Sequence, residues 1–255
     1  MRIARIQADD GAAIVALVAG EWREIEDAFV AQPIETGRRW PVEGARLLAP
    51  VEPRVILGMA HNGSAADRLL PPQAFHKTAH TLAGPGDPIT LDAGIGPVNV
   101  EGELALVIGR TARHLTPADA LEHVLGVTVA NDVTAPAMIT ADSLFLQGKN
   151  GDGWTPLGPW IETGIDPDAV AITVSVDGEV RAASSTARLG WNAREILVHL
   201  TAHLTLHPGD IVLTGSPGTA VAVEPGQEVL IALDGVGELV NRTVAGPPRA
   251  APLQP

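Results

Sequence analysis

Apolar positions in this chain fall in short stretches separated by Gly, Pro and Asp, and the most informative stretch is VNVEGELALVIG, Val98 to Gly109. Gly94, Gly96 and Pro97 precede it and Gly109 closes it, which predicts a strand between turns. Side chains two apart on a strand share a face, so Glu101 and Glu103 point the same way, with Ala105 and Val107 beyond them. Val98, Val100, Leu104, Leu106 and Ile108 take the opposite face. Both faces are apolar toward the C-terminal end, which predicts burial on both sides. Two carboxylates entering such a core need compensating charge, because an unpaired buried carboxylate is costly or driven neutral. A hard divalent cation is one such partner. The alternative is a solvated strand mouth at which both glutamates face Lys or Arg.

The same reading predicts strands at Ile3–Ile6 and Ala13–Leu17 around an Asp9-Asp10-Gly11 turn, and another at Arg54–Gly58. Residues 60–70 are polar and weakly periodic and read as a loop or mobile lid. Thr116 and Pro117 start a helix by capping logic, and Gly126 stops it. Val127–Ala130 is a strand delivering Asn131-Asp132, and Met138–Gly153 reads as a Gly-rich loop carrying Lys149. Hairpins turn at Asp177-Gly178 and Asp234-Gly235. Between them Asn192 caps a helix with an Ile196, Leu197, Leu200, Leu204 stripe. The strand Ile211–Leu213 ends at Thr214-Gly215-Ser216-Pro217. Many short strands and few helices predict a β-rich α+β fold. The expected organisation is a small N-terminal domain (1–49), a main domain (50–245) and a disordered tail (246–255).

Composition narrows the function classes. With 255 residues and 45% hydrophobic content the chain can bury a sizeable core, and a net charge of −13 argues against nucleic acid or an anionic membrane as partner. Cysteine is absent, which excludes disulfides, thiolate metal sites and cysteine nucleophiles. There is no signal-peptide pattern and no apolar run long enough to span a bilayer, so a cytoplasmic location is expected.

Five blocks, EGELALVIGR, GVTVANDVTA, GKNGDGWTPLGPW, HPGDIVLTGSP and DGVGELVN, stand in an order that resembles the fumarylacetoacetate hydrolase superfamily. The resemblance implies a mixed β-roll or distorted barrel behind a small N-terminal domain, a homodimer, and Mg²⁺ or Mn²⁺ held by Glu101, Glu103 and Asp132. It also implies 2-oxo or 1,3-diketo acid substrates, converted through a metal-bound enolate by tautomerisation, isomerisation, decarboxylation or C–C hydrolysis. Lys149 matches the family's active-site lysine, where a neighbouring metal could depress its pKa; read without the family it is a surface lysine in a polar loop. Thr214 matches a substrate-carboxylate position, and is otherwise a turn residue. Ser216 and Asp152 complete the expected substrate set, with Asp152 orienting its loop.

The departures from the family pattern lie around this centre. Ser64 stands where the water-activating His belongs, and Asp67 where its Glu partner belongs. Pro136 replaces a substrate-clamping Arg, and Ile139 a Gln. His61, His76 or His80 could supply the missing base, since histidine titrates near neutral pH. His114, His123, His199, His203 and His207 read as structural. Three functions remain: an isomerase or decarboxylase working through an enolate, a C–C hydrolase with a relocated His base, and an inactive metal-binding member of the family.

Overall fold

The computed structural model describes residues 1–248 of the 255. The first strands are β1 (Arg2–Ala8), β2 (Gly11–Val18), β3 (Glu21–Ile25), β4 (Glu35–Pro41), β5 (Leu47–Leu48), β6 (Ile56–Ala60), β7 (Gln73–Lys77), β8 (Leu82–Ala83) and β9 (Pro88–Ala93). Then come β10 (Val98–Ile108), β11 (Val124–Asn131), β12 (Thr155–Glu162), β13 (Ala171–Val176) and β14 (Glu179–Ser185). The last are β15 (Ile211–Leu213), β16 (Ala220–Val223), β17 (Glu228–Leu233) and β18 (Gly237–Pro248). Helices α1 (Pro136–Ala141) and α2 (Leu146–Lys149) follow β11, and α3 (Ala193–His203) follows β14.

Among the described residues these strands form two sheets. The larger has 13 strands, ten along the path β4-β3-β2-β1-β12-β11-β10-β15-β6-β7 with β5, β8 and β16 paired off it, and the smaller has five, β14-β13-β17-β18-β9. Parallel pairs (β15 with β6, β18 with β9) among antiparallel ones make the sheets mixed, as the sequence predicts. β10 sits inside the larger sheet, with β11 on one side and both β16 and β15 on the other. Both of its faces are buried. Leu104, Leu106 and Ile108 pack with Ile172, Val174 and Ile231 of the smaller sheet, while Ala105 and Val107 pack with Ile3, Ile161 and Leu213.

The N-terminal strands join the main sheet through β1, which pairs with β12 at Arg2–Glu162 and Ile3–Ile161. Several elements differ from expectation. The helix expected over residues 116–126 shrinks to one 3-10 turn, Ala120–His123. The Asp119 carboxylate accepts both the amide and the hydroxyl of Thr116, at 2.7 and 2.9 Å, so the start is capped, but the chain returns to extended backbone at Val124 after this turn. The stretch expected as loop before Gly153 contains α1, with Pro136 in its first turn, and α2. Asn192 does cap α3, in a reciprocal pair with Glu195. The tail expected to be disordered from Gly246 begins as strand, since Pro248 lies opposite Ala93; residues 249–255 of that tail lie outside the described residues. No helix among the described residues is long and apolar enough to cross a membrane.

Gly102, between the two glutamates, is where the sheets meet most closely. A Cβ there would lie 2.7 Å from Val174 Cγ2 and 3.1 Å from Ile231 Cγ2. Gly102→Ala should therefore cost about 1–3 kcal/mol through overpacking. Denaturant unfolding would measure this; a variant as stable as the parent would mean that the two sheets are not packed this tightly.

Candidate metal centre and active site

Glu101 and Glu103 leave one face of β10, and β11 ends one residue before Asp132. The Asp132 amide donates to the Glu101 carbonyl at 3.0 Å, and the Glu101 amide donates to Asn131 Oδ1 at 3.0 Å. This pairing sets the three carboxylates side by side, with an oxygen of each within 4.8 Å of the others. Glu103 and Asp132 are buried. Converging carboxylate oxygens are the donor set of a hard divalent cation, and the electrostatics fit one. Burial, then the charges of Asp132 and Glu101, push the Glu103 carboxyl well above its ordinary range, against a 2.7 Å hydrogen bond from the Gly215 amide. Glu101 is raised too, by burial first and by Asp132, with Lys149 opposing. Two negative groups here are thus short of positive charge.

Lys149 ends α2 and is buried. Its Nζ donates to Asp132 Oδ2 at 2.5 Å, Thr134 Oγ1 at 2.6 Å and Glu101 Oε2 at 3.1 Å. Burial pulls this ammonium down, but Asp132 and Glu101 outweigh it and hold it above its ordinary value. Sequence reasoning missed a second lysine. Lys77, at the end of β7 and fully buried, donates to Asp132 Oδ1 at 2.5 Å and to the Trp154 carbonyl at 2.8 Å. Burial lowers Lys77, with Asp132 opposing. Burial would raise Asp132, but Lys149 and Lys77 together bring it below the usual carboxylate range. The alternation of Phe75 and Lys77 along one strand was the available signal, and it equally turns His76 away.

A cavity of about 350 Å³ includes these carboxylates and Lys149, and is walled by Met59, Phe75, Ile139 and Phe145. His61 and Ser216 also line it. His76 is exposed on the face of β7 opposite Phe75 and Lys77, outside the lining. Thr214 is buried with its hydroxyl on the Leu104 carbonyl at 2.8 Å, so that group is already committed. Asp152 is exposed and outside the lining, and its carbonyl accepts the Thr90 amide at 3.3 Å.

The segment expected as a mobile lid is tied down. Asn62 Nδ2 donates to the Thr214 and Trp191 carbonyls, and Arg68 pairs with Glu195 at 2.8 Å. Gly215 is required beside it: its φ is +110°, and a Cβ would lie 2.4 Å from the Asn62 carbonyl oxygen. Asp67 Oδ2 accepts the amides of Gly63 and Ser64 and the Ser64 hydroxyl, so this pair caps its own turn.

The sequence profile of the fumarylacetoacetate (FAA) hydrolase C-terminal family matches residues 54–244. The chain belongs to the fumarylacetoacetate hydrolase superfamily. The Rv2993c-like N-terminal family matches residues 1–50. Protein Rv2993c of Mycobacterium tuberculosis is 35% identical over 96% of this chain and 98% of its own. The crystal structure of 5-carboxymethyl-2-hydroxymuconate delta-isomerase from Mycobacterium smegmatis superposes with a TM-score of 0.91, at 37% identity over 96% of this chain and 100% of that one. Maleylpyruvate hydrolase from Sphingobium sp. SYK-6, in complex with manganese (II) ion and pyruvate, gives 0.80 at 27% identity over 96% and 100%. Superfamily members thus include isomerases and hydrolases acting on small molecules.

The raised carboxyls of Glu101 and Glu103 hold protons to higher pH than ordinary glutamates. A cation must displace those protons, so affinity for Mn²⁺ should rise with pH through and above the ordinary glutamate range, with protons released on binding. Calorimetry in buffers of different ionisation enthalpy would report both. A pH-independent affinity without proton release would contradict this arrangement.

Proposed function

We propose that this protein is a divalent-metal-dependent enzyme acting on a 2-oxo or 1,3-diketo acid by isomerisation, tautomerisation or decarboxylation through an enolate. One observation carries the reading: three carboxylates converge within 4.8 Å of one another, and one ammonium, Lys149 Nζ, touches two of them, inside a cavity. Mg²⁺ or Mn²⁺ held by Glu101, Glu103 and Asp132 would supply Lewis acidity toward a keto oxygen and its neighbouring carboxylate. The chain's own residues do the rest. Lys77 pins Asp132 Oδ1, Lys149 keeps its proton at Nζ, and that fixed positive charge stabilises negative charge developing on the substrate oxygen. Phe75, Ile139 and Phe145 keep water from that charge. The reading keeps the homodimer expected from the family resemblance.

Hydrolysis needs a base beside water, worth about 10²–10⁴ in rate. Ser64 and Asp67 are engaged with each other and supply none. A second reading, hydrolysis with a relocated base, is favoured by one observation, the place of His61 in the cavity lining.

Lys149→Met should keep Mg²⁺ binding by calorimetry yet lose about 100-fold or more in turnover, the scale of removing one charge-stabilising donor. Unchanged turnover would remove Lys149 from the chemistry. Tautomerisation and decarboxylation followed by enol absorbance should exceed acylpyruvate hydrolysis in the parent. Dominant hydrolysis that collapses in His61→Ala would establish the second reading instead.

A further inference from the structure

The cavity has a polar floor and an apolar wall, and the difference bears on what can fill it. Beyond the carboxylates the wall is Met59, Ala60, Phe75, Ile139 and Phe145. The Phe75 and Phe145 rings lie 5.8 Å apart, and His61 sets its ring against Phe145 at 6.2 Å, edge to face. His61 and Phe145 both hold left-handed backbone, at φ 51° and 62°, a conformation that costs a non-glycine residue energy and that persists where the surroundings impose it. Two strained residues meeting in one cavity make the aromatic wall a built feature.

Apart from the His61 imidazole, the wall offers no uncommitted side-chain donor to a second anion. Among the described residues lining the cavity, Lys149 is the one lysine or arginine, and its Nζ is shared by Asp132, Glu101 and Thr134. Lys77 lies behind Asp132, fully buried. Arg68, next to the lining residue Asp67, turns onto Glu195 and the Gly190 carbonyl and lies over Trp191. The Asn62 amide group donates to two backbone carbonyls, and Ser216 Oγ pairs with Thr219 Oγ1 at 2.8 Å. Asp67 adds a negative charge at the rim. Charge balance points the same way. Three carboxylates, two ammoniums and one divalent cation leave a single positive charge, which one substrate carboxylate neutralises. A second carboxylate would lie against the half-buried Ile139 and Phe145 with no lysine or arginine to pair it.

Resting on the 2-oxo-acid reading above, and narrowing it to isomerisation or tautomerisation because decarboxylation through an enolate needs a second carboxylate, we propose that the substrate is a monocarboxylic 2-oxo acid whose far end is an alkyl or aryl group lodged against Phe75, Ile139 and Phe145. The floor takes the 2-oxo-carboxylate head, and the wall selects the tail. Single apolar groups in such a pocket discriminate by about 10–200-fold.

The test compares pyruvate, 5-methyl-2-oxohexanoate and 2-oxoglutarate by calorimetry on the Mg²⁺-loaded protein. The last two match in shape and differ in carrying an isopropyl group or a carboxylate at the far end. 5-Methyl-2-oxohexanoate should bind at least about tenfold more tightly than 2-oxoglutarate, and 2-oxoglutarate no more tightly than pyruvate. Ile139→Arg, on the half-buried side of α1, should reverse the order of the last two. Equal or tighter binding of 2-oxoglutarate by the parent overturns the apolar-tail proposal while leaving the 2-oxo-acid reading standing. Failure of all three to bind overturns that reading and the proposal with it.

Discussion

Both oxygens of Asp132, a residue 1% exposed, accept a hydrogen bond from an ammonium, Lys77 at Oδ1 and Lys149 at Oδ2, each at 2.5 Å. A carboxylate so deep in a core survives only because both of these charges reach it. Satisfying it draws four parts of the chain together. β11 carries Asp132 to the end of its strand, β10 sets the glutamate pair beside it, β7 brings Lys77 from behind, and α2 delivers Lys149. The cost of burying charge is met for Asp132 and remains open for Glu101 and Glu103, whose carboxyls are pushed upward. That imbalance is one a bound cation would relieve.

The fold supplies the rigidity this requires. β10 is paired on both edges and packed on both faces, so the glutamates project from a strand with little freedom to shift. The Asn62 anchor and the Arg68–Glu195 pair hold the segment that borders the cavity, while Phe145 sits in strained backbone at the start of α2. A polar floor meeting an aromatic wall is the outcome, and the chemistry proposed here needs both: charge stabilised at one end and water kept away from it.

What could be read from the sequence follows from the range of each interaction. Strand alternation is local, so VNVEGELALVIG alone put Glu101 and Glu103 on one face and predicted burial on both sides toward its C-terminal end. The Asn192 cap and the two Asp-Gly hairpins are local too, and the structure has them. The Lys77–Asp132 contact spans 55 residues and left no trace except the parity of Phe75 and Lys77, which also turns His76 outward. The β1–β12 pairing, at a separation near 160 residues, was equally invisible, and it is what joins the N-terminal unit to the main sheet. The helix expected at Thr116 has its start, with Asp119 holding the Thr116 amide and hydroxyl, but stops after one turn where the chain enters β11. Thr214 shows the limit of carrying a role over by motif, since its hydroxyl is spent on a backbone carbonyl.

The central claim is that Glu101, Glu103 and Asp132 together hold one divalent cation. The most direct test is anomalous scattering from crystals grown with Mn²⁺. The account predicts a single strong peak within about 2.0–2.6 Å of an oxygen from each of the three carboxylates, the range for hard cations on oxygen ligands. A peak bound elsewhere, or none at this site at saturating Mn²⁺, would contradict it.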